Sequence, residues 1–138
     1  MNDLFAACDR EYLDMDLLRS RFLDRATFGI GLIEGRLCFS YFPKFRSGDR
    51  LVKSGIGYLC VFEESFLSGL LRKRVLELPM FAPGSSVEYV LSEQDHEKAN
   101  HLFGRIVQEQ DSSYQYKFDL IRTYLTQMLH LVMKMLLS

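Results

Sequence analysis

The sequence contains three histidines, the side chains that most often bind metal ions or act as acid and base near neutral pH. His96, His101 and His130 all lie in the C-terminal part of the chain. His96 and His101 are about 140° apart around a helix, and no Cys, Asp or Glu stands at a spacing that would complete a zinc site. We expect a surface role for these two, and for His130 a polar contact across an interface. No metal ligand is therefore predicted.

Nucleophilic catalysis would need an activated Ser or Cys beside a base. The sequence contains no G-x-S-x-G, and Cys60 lies in an apolar run where a thiol is inert. Glu63 and Glu64 are neighbouring acids whose side chains point apart, and a helix start explains both. We therefore predict no catalytic residue, no bound cofactor and no enzymatic activity.

Composition excludes several classes of function. The 138 residues carry 17 basic and 18 acidic side chains, a net charge of −1, so no basic field exists to hold a nucleic-acid backbone. Three widely spaced cysteines fit a reduced cytoplasm. The N-terminal residues lack the basic and apolar segments of a signal peptide, and no apolar run is long enough to span a membrane. One cytoplasmic globular domain is expected.

The middle of the chain alternates apolar β-forming runs with turn residues. Residues 27–35 and 36–42 are predicted as two strands joined by a tight turn, and residues 57–62 as a strand buried on both faces. A GxGxxxG spacing runs through the first strand, but no helix start follows it, so a dinucleotide site is not expected. Residues 43–55 are predicted as an exposed loop.

Helical patterns lie on both sides of this region. Residues 3–25 have a loose apolar spacing that predicts one or two short helices, and residues 63–74 predict another, with acids at its front and basic residues at its back. A last edge strand is predicted at 87–91. Ser92 is then the N-cap of a helix that ends near residue 110.

A longer helical pattern runs from Tyr114 to Leu137 without Gly or Pro. One apolar row recurs in steps of three and four residues, as in helices that pack lengthwise on other helices. The helix would be roughly 36 Å long, more than the small sheet is expected to cover. We therefore predict that two chains associate along it through Ile121, Leu125, Met128, Val132 and Met135. The alternative is that this row packs entirely within the chain, against the preceding helix and the sheet.

Four stretches carry a resemblance to a known family. They are residues 54–67 (SGIGYLCVFEESFL), 76–86 (LELPMFAPGSS), 91–110 and 112–135. In this order they resemble the late strand, the proline-containing loop and the two helices of the N-terminal regulatory domain of AraC-type transcription regulators, in the form common in Bacteroidetes.

The resemblance implies a cupin-like barrel that senses a small molecule, a helix pair that dimerises, and DNA contact only through a C-terminal domain. No helix-turn-helix pattern is present in this sequence. We therefore expect an α+β fold. Residues 1–91 would form the β-rich regulatory part, a small and incomplete cupin-like barrel or sheet, with 1–26 as a helical lead-in. Residues 92–138 would form the dimerisation hairpin.

The function predicted is that of a ligand-sensing and dimerisation domain of an AraC-family regulator. Its partners would be a second copy or a related regulator, together with a small-molecule effector. The alternative, from another class, is a small-ligand-binding cupin-type module or enzyme that works in the barrel cavity.

Overall fold

The structure is a computed structural model that describes residues 4–9, 15–50, 56–83 and 86–137. It has an α+β fold in which a C-terminal helix pair packs on a five-stranded antiparallel sheet. The predicted fold class is therefore confirmed. Parts of the predicted helical lead-in, of the loop at 43–55 and of the turn before the last strand lie outside the described residues.

Nine helices and strands make up the described chain, together with two short 3-10 helices at Glu64–Phe66 and Pro79–Phe81. In chain order they are β1 Phe5–Asp9, α1 Met15–Phe22, β2 Thr27–Ile33, β3 Arg36–Phe42, β4 Gly57–Glu63, α2 Gly69–Leu76, β5 Ser86–Val90, α3 Glu93–Gln110 and α4 Lys117–Leu137. The strand order is β1-β4-β2-β3-β5. No helix in the described part is long and apolar enough to cross a membrane.

The β2–β3 hairpin forms where the sequence predicts it. Ile33 pairs with Arg36, and Glu34 and Gly35 between them have φ angles of 52° and 76°. Two successive residues with positive φ are typical of a type I′ turn, whose twist matches that of the flanking strands. The predicted tight turn is confirmed.

The buried strand predicted at 57–62 is also present. β4 lies inside the sheet between β1 and β2. Cys60 and Phe62 belong to the core beneath the helix pair, whereas Leu59 and Val61 pack on the opposite face with Phe22 of α1. Because both faces are covered, the strand is apolar at successive positions rather than at alternate ones.

The N-terminal prediction is correct for one helix and wrong for the residues before it. Residues 5–9 form strand β1, which pairs with β4 and buries Phe5 and Ala7. A five-residue strand has too few alternating positions to stand out in the sequence, and its pairing with β4 decides its structure.

Two predicted helix starts are too early. Glu63 ends β4, where it forms an ion pair with Arg25 at 2.8 Å, and α2 begins only after Ser68. α4 begins at Lys117 rather than at Tyr114. Because the Lys117 ammonium group donates to two backbone carbonyls, those of Gln110 at 3.0 Å and Ser112 at 3.1 Å, it helps to hold the turn that precedes α4.

The described strands form an open sheet and not a closed barrel, since β1 and β5 each pair on one side. Side chains cover the outer edge of β1. The Gln110 amide accepts from the Ala7 N–H at 2.7 Å and donates to the Ala7 carbonyl at 2.6 Å, and Arg21 donates to the Phe5 carbonyl at 2.8 Å. These contacts block a strand edge that would otherwise invite pairing with another chain.

The β-rich part and the helix hairpin share one core. A single cluster of buried side chains joins alternate residues of the strands to the inner faces of α3 and α4. Ser92 caps α3 as predicted, because its hydroxyl accepts from the Asp95 N–H at 3.1 Å. The hairpin is therefore held rigidly over one face of the sheet.

Candidate functional site

Four of the five predicted dimer contacts lie inside the single chain. The side chains of Ile121, Leu125, Met128 and Val132 are at most 1% exposed and belong to the core between the helix pair and the sheet. The buried cluster that contains them also includes side chains of the sheet, of α2 and of the two 3-10 helices, so their apolar cover extends beyond α3. The fifth residue, Met135, is only half-buried. Association of two chains along α4 stays a prediction.

Apolar surface remains at the C-terminal end of α4. Leu136 is 37% exposed and Leu137 87% exposed. Val90, at the end of β5, is 76% exposed and lines the same shallow groove as Met135. We name Val90, Met135, Leu136 and Leu137 the end patch. The sequence pattern predicted surplus apolar surface along much of α4, and the structure restricts it to this end.

A second surface feature is a groove between the outer sides of α3 and α4, which we name the helix groove. It has a volume of about 370 Å³. Its lining residues are Lys98, His101, Leu102, Gln127, His130, Leu131 and Lys134. Sequence reasoning placed His101 and His130 on separate surfaces. The predicted helix hairpin could have indicated that these two histidines are close, because it places the early turns of α3 beside the late turns of α4.

Three charged or titratable side chains of the helix groove form no polar contact with another side chain in the described part of the structure. His101 Nε2 accepts from Arg105 Nε at 2.8 Å. Lys98, His130 and Lys134 have no hydrogen bond or ion pair to any side chain within the described ranges. The described residues also contain no group of three or more His, Cys, Asp or Glu side chains that could hold a metal ion.

Two buried groups that could act as nucleophiles are held in their protonated forms. Burial raises the pKa of the Cys60 thiol well above its usual range, and the nearby Cys8 adds to the effect. Burial, together with the hydrogen bond to Glu64 and the charge of that carboxylate, raises the pKa of Tyr41 to about 12. The Tyr41 hydroxyl donates to Glu64 Oε2 at 3.0 Å. Both groups serve the packing of the sheet.

Two stretches that carry the family resemblance meet at Arg122. Its Nε donates to the Phe66 carbonyl at 2.6 Å, and its guanidinium lies 4.2 Å from the centroid of the Phe66 ring. A second nitrogen, Nη1, pairs with Asp119 at 3.1 Å. Arg122 thereby fixes α4 to the 3-10 helix that follows β4.

We expect Arg122→Gln to lower the free energy of unfolding by about 2 kcal/mol. A charged hydrogen bond contributes roughly 1.5–3 kcal/mol and a cation–π contact roughly 0.5–1 kcal/mol, and partial solvent exposure reduces both. Urea unfolding monitored by circular dichroism measures the change. Arg105→Gln, at an exposed arginine of α3, is the control and should stay within about 0.5 kcal/mol of the parent. Equal losses in both variants would contradict the role of Arg122.

Comparison with protein-family models, with curated proteins and with solved structures finds no significant match for this chain. The helix groove, the end patch and the Arg122 contact are therefore the features from which function is argued.

Proposed function

We propose that the chain is a regulatory and dimerisation domain of the AraC type, which acts by associating with a second copy or a related regulator. The proposal joins the resemblance of residues 54–135 to one structural observation, the exposed end patch. Under this proposal the chain is not an enzyme.

The end patch supports association because it leaves apolar side chains in water. Burying a Val, Leu or Met side chain is worth roughly 1.5–3 kcal/mol relative to leaving it exposed. Exposed apolar side chains mark sites of protein association when they adjoin, as Val90 and Met135 do in one groove. The patch lies at the ends of β5 and α4. In a dimer with two-fold symmetry, each chain would bury this same surface. The helix hairpin is also where the resemblance puts the dimer.

The remaining parts of the proposal follow from charge and cysteine chemistry. DNA contact belongs to a separate C-terminal domain, because the net charge of −1 gives this chain no attraction for a phosphate backbone. The cytoplasm is the proposed location, since the three cysteines are odd in number and widely spaced, and Cys38 and Cys60 are buried as small apolar side chains.

The test replaces Met135 and Leu137 together with Asp. We expect a folded monomer where the parent is a dimer, because an unpaired carboxylate buried in an interface costs several kcal/mol and dissociation avoids that cost. Sedimentation velocity reports the mass, and circular dichroism reports the fold.

Leu70→Asp is the matched control, since Leu70 is an exposed leucine, 66% accessible, on α2. This variant should dimerise as the parent does. If the double variant keeps the dimer, the end patch is not the interface.

A further inference from the structure

The helix groove has an apolar floor and polar walls. Leu102 of α3 and Leu131 of α4 lie between the two helices, and Leu102 is only 9% exposed. Lys98 extends from one wall and Lys134 from the other. The volume of about 370 Å³ falls in the lower part of the range for small-molecule sites, roughly 300–1,000 Å³.

The charges around the groove are unbalanced. Its lining contains two lysines, two histidines and no carboxylate. Asp95 lines the adjoining groove together with Lys98 and Lys134, but it forms no ion pair with either lysine within the described ranges. Lys98 and Lys134 thus line the same groove as Leu102 and Leu131, and neither lysine forms an ion pair within the described ranges.

We propose that the helix groove binds a small amphiphilic carboxylate, with its apolar tail on Leu102 and Leu131 and its carboxylate between Lys98 and Lys134. Charge complementarity selects the head, because an anion beside two unpaired ammonium groups gains charge-assisted hydrogen bonds. The leucine floor selects the tail, because apolar area is removed from water there. His130 and Gln127 supply further donors at the rim.

The helix groove and the end patch share no residue, but they adjoin, because Val90 and Met135 line the neighbouring groove together with Lys98, Leu131 and Lys134. Octanoate binding and the mass of the unmodified chain are measured separately. The two proposals can therefore fail separately. A bare phosphate or a nucleic-acid backbone fits less well, since it would leave the leucine floor in water.

The test is titration of the full chain with sodium octanoate, followed through the backbone amide resonances of α3 and α4. We expect saturable shifts centred on Leu102 and Leu131. Octanol, which has the same tail without the charge, and inorganic phosphate, which has charge without a tail, should each bind at least about tenfold more weakly.

Variants identify the groups responsible. The double variant Lys98→Gln with Lys134→Gln should bind octanoate at least about tenfold more weakly, because both charged hydrogen-bond donors are lost. Lys73→Gln, at an exposed lysine of α2 outside the groove, should bind as the parent does. All three substitutions are on the surface, and circular dichroism checks that each variant is folded.

Several results would overturn the proposal. They are an absence of saturable octanoate shifts, equal affinity for octanol or for phosphate, and undiminished octanoate binding by the double lysine variant. An absence of saturable shifts would mean that there is no site. Equal affinity for phosphate would mean that the tail plays no role, and equal affinity for octanol or undiminished binding by the double variant would mean that the ammonium groups play none.

Discussion

Replacing Leu125 with Asp is expected to unfold the chain. Leu125 is 1% exposed and lies in the core between α4 and the sheet. Removing a buried leucine side chain costs about 2–5 kcal/mol, and a buried, unpaired carboxylate adds several more. Because a domain of this size is stable by only about 5–15 kcal/mol, the native state should be lost or barely populated. Circular dichroism and urea unfolding measure the result.

The control for this prediction lies on the same helix. Gln127→Asp introduces the same carboxylate at an exposed position and should cost less than about 1 kcal/mol, mostly through the lower helix propensity of Asp. A Leu125→Asp protein that is folded and monomeric would show that Leu125 faces a partner chain, as the sequence pattern alone suggested.

The second large effect is expected for Gly57→Ala at the start of β4. Gly57 has a φ angle of 154°, and an added Cβ would overlap the Leu32 carbonyl oxygen and come within 3.1 Å of the Ile33 Cα. These are backbone atoms of the paired strand β2, which cannot move aside without breaking the sheet. Backbone strain and overpacking each cost roughly 1–3 kcal/mol, so we expect a loss of at least about 3 kcal/mol in urea unfolding.

Gly104→Ala is the matched control, because Gly104 lies inside α3 and its added Cβ would meet only the Tyr58 hydroxyl at 3.7 Å. We expect this variant to be more stable than the parent by about 0.5–1 kcal/mol, since Gly inside a helix is destabilising relative to Ala. Equal stability of Gly57→Ala and the parent would mean that β4 does not approach β2 as described.

Features set by neighbouring residues could be predicted from the sequence. The β2–β3 turn depends on the residue pair Glu34 and Gly35, and the start of α3 on the hydroxyl of Ser92. β4 was recognisable because a short apolar run between turn residues fits a strand covered on both faces. In each case the residues that determine the structure lie within a few positions of it.

Features set by distant residues could not be predicted. β1 exists because it pairs with β4, and Glu63 stays in a strand because it pairs with Thr27 at the start of β2. The apolar repeat of α4 correctly identified which face of the helix is buried. Such a repeat does not show whether that face packs within the chain or against a partner chain. The helix groove needed the relative placement of two helices before His101 and His130 could be brought together.

Sedimentation equilibrium of the unmodified chain over a range of concentrations tests the proposed function most directly. The proposal predicts a mass that approaches twice the 16.1 kDa of one chain and falls reversibly on dilution. A mass that stays at that of one chain at every concentration would contradict the assignment of this domain to dimerisation.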